Sequence, residues 1–247
     1  PIRPERPSAQ PPQASPAPQE PPSSMLVTNA EELVRAIQEI KEGGEITLQP
    51  GEYRLRSSLW FYKSLTITGA RYEETVIVYE GSGSELIWFT GSGLLSIRDV
   101  SLRYSGSAKL PVVIRASGEL RLTRCLVSGG AGKDDNYIGA GIVVNENARA
   151  VISECLIVDN EAGLIVRPKA EARVEFCKFI ANAGSGLIVR GTCEVRHSEF
   201  SRNLQHGISA DQEGRLVARN NTCEGNQRSG IALFGSVQGE VVGNTCR

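Results

Sequence analysis

From residue 45 onward the chain is repetitive, and from about residue 141 two unrelated landmarks keep a period of 21 to 23 residues. The first is a glycine followed by Ile or Leu: Gly141-Ile142, Gly163-Leu164, Gly186-Leu187, Gly207-Ile208 and Gly230-Ile231, in steps of 22, 23, 21 and 23. The second is an asparagine, at Asn160, Asn182, Asn203 and Asn226, in steps of 22, 21 and 23. A fixed period of this size marks a repeat architecture in which each unit buries its apolar face against the next.

Positions counted back from each asparagine have fixed character. Three before it stand Ile157, Phe179, Phe200 and Cys223; eight before it stand Ile152, Val174, Val195 and Ala218; ten before it stand Ala150, Ala172, Cys193 and Leu216. The residues between are mostly polar, as at Glu175, Arg196 and Arg219. Alternation with period two over short runs predicts two strands per unit, joined by a two-residue bend. The Gly-Leu-Ile-Val segments supply a third. Leu120, Leu122, Cys125 and Val127 fit the same slots, as do Leu95, Ile97, Val100 and Leu102, and Ile46 to Tyr53 reads as the first coil. The expectation is an all-β fold, a single-stranded parallel β-helix of about nine rungs.

Ahead of the repeats, Thr28-Asn29-Ala30-Glu31 is a capping box, followed by Leu33, Val34, Ile37 and Ile40 at helical spacing and stopped by Gly43-Gly44. This predicts an α-helix over about residues 28–42, placed to cover the open apolar end of a solenoid. Residues 1–24 are mainly Pro, Gln, Ser, Ala and Glu, too poor in apolar side chains to offset their ordering entropy. They read as a disordered Pro-rich linker to another domain, with the β-helix domain spanning 25–247. A net charge of -1 gives no bulk electrostatic case for nucleic acid. No apolar run approaches the roughly 18 residues of a membrane span.

The opening Ile-x-Leu-x-Pro-Gly-x-Tyr (Ile46 to Tyr53) and the recurring Asn-x-x-x-Gly-[Ile/Leu] resemble right-handed parallel β-helix repeat proteins. That pectate-lyase-like superfamily includes pectate lyases, polygalacturonases and the NosD and CASH repeats. The resemblance covers Glu45 to Arg247 and implies a right-handed solenoid; it does not by itself imply an activity.

Six cysteines are present. Cys125, Cys155 and Cys177 fall in one inward column, Cys223 and Cys246 in another. With no Cys-x-x-Cys and no Cys/His spacing suited to a metal, they read as reduced core thiols. That leans toward a cytoplasmic or otherwise reducing setting. No cofactor is expected. The four period-keeping asparagines are expected to form a ladder of amides along one turn, with Asn221 and Asn244 as a shorter second ladder.

In the enzymes of the resembled superfamily the sites lie on the sheet after the long turn, here the Gly-Leu-Ile-Val strands. Two outward columns are expected there. One holds Trp60, Ile87, Val113, Val143, Ile165, Ile188, Ser209 and Ala232. The other holds Tyr62, Phe89, Arg115, Asn145, Arg167, Arg190, Asp211 and Phe234, and forms the candidate ligand-binding face. Stacked arginines beside an apolar strip call for an anion or a protein between them. Lys133-Asp134-Asp135-Asn136-Tyr137 lengthens one turn and is expected to overhang this face. On the neighbouring strands Arg173 with Glu194, and Glu175 with Arg196, should form cross-rung ion pairs.

A polygalacturonase-like site is not complete. His206-Gly207 stands 71 residues after Asp135, about three coils or roughly 14 Å along the axis. Inverting carboxylate pairs sit roughly 6.5–9.5 Å apart. Arg167-Pro168-Lys169 precedes the histidine instead of following it, and His197 falls on a bend. A calcium-dependent lyase site needs several carboxylates, and the second column offers only Asp211. The residues therefore favour a non-catalytic module binding a protein or an anionic polysaccharide. The alternative is a carbohydrate-binding or carbohydrate-active β-helix stacking sugars on Tyr62, Phe89 and Phe234. End-to-end self-association through the last coil is a third expectation.

Overall fold

Each coil contributes up to three short strands, and the coils stack into three long parallel sheets. The structure, a computed structural model, describes residues 20–132 and 139–247. The first sheet has ten strands, from Ser24–Val27 and Gly44–Leu48 at one end to Gln238–Val242 at the other. The second has nine, from Gly51–Leu55 to Thr245–Cys246, and the third eight, from Leu59–Phe61 to Ile231–Leu233. Strands one coil apart pair in parallel: Ala172 stands opposite Cys193 and Val174 opposite Val195. This is the parallel β-solenoid of roughly nine turns that the repeat predicts.

The core lies inside the coil because every second residue of the strands points there. Leu95, Ile97, Leu120, Leu122, Ile152, Val174 and Val195 are fully buried in one continuous cluster. Phe179 and Phe200 occupy the same slot on successive coils and stack with centroids 4.7 Å apart and planes 6° from parallel. Such a pair adds about 0.5–1.5 kcal/mol beyond its buried area. Tyr53, also buried, places its one hydroxyl proton between the carbonyls of Val27 and Gln49, 2.9 and 2.8 Å away, and so pins the first coil.

The helix spans Ala30–Glu39 and lays Leu33, Ala36 and Ile37 on the first coil, closing that end of the core. Its cap sits one residue later than the sequence pattern suggests. Asn29 Oδ1 accepts from the Glu32 amide at 2.9 Å, and the Glu32 carboxylate accepts from the Thr28 amide and hydroxyl at 2.8 Å each. Asn caps as well as Thr does, and the Glu32 carboxylate reaches back one residue past the cap, to Thr28, so the box is close to the reciprocal form but offset by one. Ahead of the helix, Ser24–Val27 adds an edge strand, and the Pro22 and Ser23 carbonyls accept from Lys41 and Glu45. Residues 1–19, the bulk of the expected linker, and the insertion residues Lys133 to Tyr137 lie outside the described residues.

Both turns flanking the second sheet are ladders. At one, the side-chain amide of Asn160 donates to Asn182 Oδ1 (3.3 Å), Asn182 to Asn203 (2.9 Å) and Asn203 to Asn226 (2.8 Å). Each oxygen also accepts the backbone N–H of the preceding coil's asparagine, so the buried polar groups are satisfied. Just after the other bend, the Cys125 N–H meets Cys155 Sγ (3.4 Å), Cys177 N–H meets Ser198 Oγ (3.1 Å), and Ser198 and Asn221 N–H meet Asn221 and Asn244 Oδ1 (3.0 and 2.9 Å). All six cysteines are free and all but Cys246 are buried. Burial pushes the thiols of Cys193 and Cys223 up to about 12.

That bend itself turns through left-handed backbone in coil after coil. Asp99, Arg124, Glu154, Phe176, His197 and Asn220 occupy it with φ between 48° and 60°, and Gly243 follows at 68°. Of the two expected cross-rung ion pairs beside it, Arg173–Glu194 forms at 2.9 Å. Glu175 does stand opposite Arg196. Arg196 nevertheless pairs with Glu194, two residues away on its own strand, which gathers both guanidinium groups.

Candidate functional site

The third sheet carries the face singled out by the sequence, and its register differs from the expected one in the early coils. Trp88 stands opposite Trp60 and Arg115, and Arg115 stands opposite Val143. The strand-centre column is therefore Trp60, Trp88, Arg115, Val143, Ile165, Ile188, Ser209 and Ala232. Ile87 and Val113, expected in it, point inward with 0% exposure. The cause is a local break in alternation. Leu86 and Ile87 are both in the core, as are Val113 and Ile114, so the outward position moves by a residue or two.

The same shift corrects two of the candidate site residues. Phe89 is fully buried, stacked in register under Ala116, and offers no surface to a ligand. Arg115 belongs to the central column, not the one beside it. Tyr62, Asn145, Arg167, Arg190, Asp211 and Phe234 do share a column just after the strands. Their backbone N–H groups bond the preceding coil from Asn145 onward in the series Asn145→Ala116, Arg167→Val144, Arg190→Val166, Asp211→Val189 and Phe234→Ala210. Thr90 and Ser117, bonded the same way, fill the coils between Tyr62 and Asn145.

Charge on this face is partly balanced. Arg115 pairs with Glu85 at 2.9 Å, both half-buried, and Arg190 pairs with Asp211 at 3.0 Å. Arg167 is exposed and makes no ion pair with a described residue. The expected open apolar strip is instead a buried one: Val112, Ala140, Val143, Ala162, Ile165 and Ile188 form a second cluster outside the main core. At the first-coil end Tyr62 is 68% exposed, and Trp60 and Trp88 lie 4.9 Å apart at 58°.

His206, set aside on sequence because its acidic partners are too distant, lies at the edge of this face. It is only 8% exposed and its Nδ1 is buried without a hydrogen-bond partner. Its ring meets Phe234 edge-on with centroids 5.6 Å apart. Burial, aided by the charge of Arg228, holds the imidazole below its ordinary range. Among the described residues no three His, Cys, Asp or Glu side chains converge as a metal site would require. Asp134 and Asp135 lie outside the described residues. Trp88 was legible only through the 27- and 28-residue steps that join Trp60, Trp88, Arg115 and Val143. His206 was visible in the sequence as a His-Gly pair, but nothing there showed that its ring is buried.

The profile of a protein family described as "Right handed beta helix region" matches residues 85–246. A comparison with curated proteins finds no match. Among solved structures, a PL6 family alginate lyase, AlyGC, superposes with a TM-score of 0.65 at 14% identity, over 95% of this chain and 41% of its own. ORF18 of Geobacillus virus E2 gives 0.63 at 15%, over 82% and 49%. Pectate lyase Pel9A gives 0.58 at 12%, over 81% and 61%. The chain thus spans half or less of the first two, and at these identities the likeness is one of fold.

Proposed function

The chain belongs to the right-handed β-helix family, and from that premise we propose that it is a polysaccharide-binding solenoid whose third-sheet face takes an extended anionic chain such as a polyuronate. The observation that carries this is the column Tyr62, Thr90, Ser117, Asn145, Arg167, Arg190, Asp211 and Phe234, in which Arg167 makes no ion pair with a described residue, with Trp60, Trp88 and Arg115 beside it. It sets guanidinium groups between aromatic ends along one straight line. Tyr62 and Phe234 are seven coils apart, roughly 34 Å at about 4.8 Å per coil. A linear polymer can follow such a line, with carboxylates on the arginines and sugar faces on the rings. Several fold neighbours bear names of enzymes acting on alginate or pectate, which favours a saccharide over a protein as the partner.

Binding, without bond cleavage, is the reading the face supports best, because among the described residues the acids of its two columns are committed: Glu85 to Arg115 and Asp211 to Arg190. Calorimetry with polygalacturonate and alginate oligomers tests it. The Arg167→Glu/Arg190→Glu variant should bind at least tenfold more weakly, with the same melting temperature to within a few degrees and a shallower salt dependence. Undiminished binding by that variant would sink the proposal. His206 favours a second reading, a carbohydrate-active solenoid. In that case the mixtures would accumulate unsaturated or shortened uronate oligomers, and His206→Asn would stop them.

A further inference from the structure

An open recess lies away from the arginine face, on the left-handed bend and the outer surface of the second sheet. It measures about 640 Å³ and is lined by Phe176, Lys178, His197, Asn220, Thr222 and Glu224, with Glu199 at Lys178. Two features of it are unlike the rest of the bend. Asp99, Arg124 and Glu154 place charged side chains at this corner, as water demands, whereas the next two coils place rings. Phe176 is 58% exposed, and its ring lies parallel to His197, 5.3 Å away and 10° apart. Phenylalanine with positive φ is a genuine outlier, so Phe176 holds its ring at the corner against its backbone preference, whereas histidine tolerates this conformation better.

The polar groups around the rings are uncommitted. The side chains of Asn220, Thr222 and Glu224 make no hydrogen bond or ion pair with a described residue. Lys178 and Glu199 neutralise each other at 3.4 Å, so Glu224 leaves the recess with a negative balance. Exposed aromatic surface beside free amide, hydroxyl and carboxylate groups is the chemistry that recognises a sugar: C–H faces on rings, hydroxyls on acceptors and donors. The negative balance disfavours a uronate.

We propose that the Phe176–His197 bend is a second saccharide site, specific for a neutral pyranose residue and independent of the arginine column. The two sites lie on different sheets, so one solenoid can hold a neutral and an anionic glycan at once.

Titration of the isotopically labelled chain with cellohexaose, xylohexaose and mannohexaose tests this. At least one should perturb the resonances of Phe176, His197, Asn220 and Thr222. Asparagine accommodates the left-handed corner, as Asn220 shows, so Phe176→Asn and His197→Asn remove the rings while keeping the coil. Each should weaken neutral binding at least tenfold and leave polygalacturonate binding unchanged. Absence of binding by all three oligosaccharides overturns the proposal, as does binding that survives the double substitution. Neither result bears on the arginine face, which is read with a different probe and different variants.

Discussion

At the asparagine turn, Asn160, Asn182 and Asn203 are the same residue, each fully buried and each bonded to the coils on both sides. At the left-handed bend, Glu154, Phe176, His197 and Asn220 are all different and all exposed. Both turns recur once per coil and both must redirect the chain. They differ in what satisfies the backbone. Inside the asparagine turn the amide N–H groups point into the core, and only a side chain carrying donor and acceptor together can meet them on every coil. At the bend the corner residue's N–H already bonds the next coil's carbonyl, as Phe176 does to Arg196 and His197 to Arg219. Its side chain is not needed to satisfy the backbone, and neighbours pair only where their chemistry allows, as Arg124 does with Asp99. Repetition is enforced at the first turn and relaxed at the second, and it is at the relaxed turn that unrelated side chains assemble a recess.

The largest effect expected from this contrast is on stability. Asn182→Ala should cost about 3 kcal/mol, because the Asn160 N–H and the Ile157 carbonyl lose their partners inside the core while the Asn203 oxygen loses a donor. Urea unfolding measures it, and a cost under about 1 kcal/mol would break the distinction between the two turns. At the bend, Phe176→Asn should move stability by no more than about 1 kcal/mol. Relief of the left-handed strain, about 1–2 kcal/mol, is set against the lost ring stack, about 0.5–1.5 kcal/mol. A loss of several kcal/mol there would make Phe176 a packing residue and weaken the case for a sugar site.

The smallest effect concerns pH. The folded His206 imidazole lies below its ordinary value of 6.5 through burial first and the charge of Arg228 second. The unfolded chain therefore takes up the proton first as pH falls through that value. His206 contributes stability fully above it and loses that contribution on acidification until the folded imidazole also protonates. Wild type should lose stability relative to His206→Asn between about pH 7 and pH 5, and parallel curves would show that the ring is not held neutral.

How much of this was legible in the sequence follows the same division. The inward slots at Leu95, Ile97, Leu120 and Leu122, the amide ladders and the cysteine column were readable because burial repeats the same requirement on every coil. The outer register of the early coils was not. Leu86-Ile87-Trp88-Phe89 and Val112-Val113-Ile114 are apolar throughout, so period-two alternation is invisible in them, and two successive inward residues displaced Phe89 and Arg115 from their expected places. The Phe176–His197 pair was hidden differently. Nothing in local sequence distinguishes an exposed bend residue from a strand residue when its neighbours one coil away, 21 residues on, decide its surroundings.

The asparagine ladder also has a sense. Every side-chain oxygen in it faces the earlier coil and accepts from that coil's backbone N–H and, between asparagines, from its amide, so the carbonyl dipoles of Asn160, Asn182, Asn203 and Asn226 all point one way. The row is a vector laid along the solenoid axis. Reversing one amide would set donor against donor on one side and acceptor against acceptor on the other. The orientation of each coil thus dictates that of the next, and the molecule can be extended in register only by a coil that arrives the right way up.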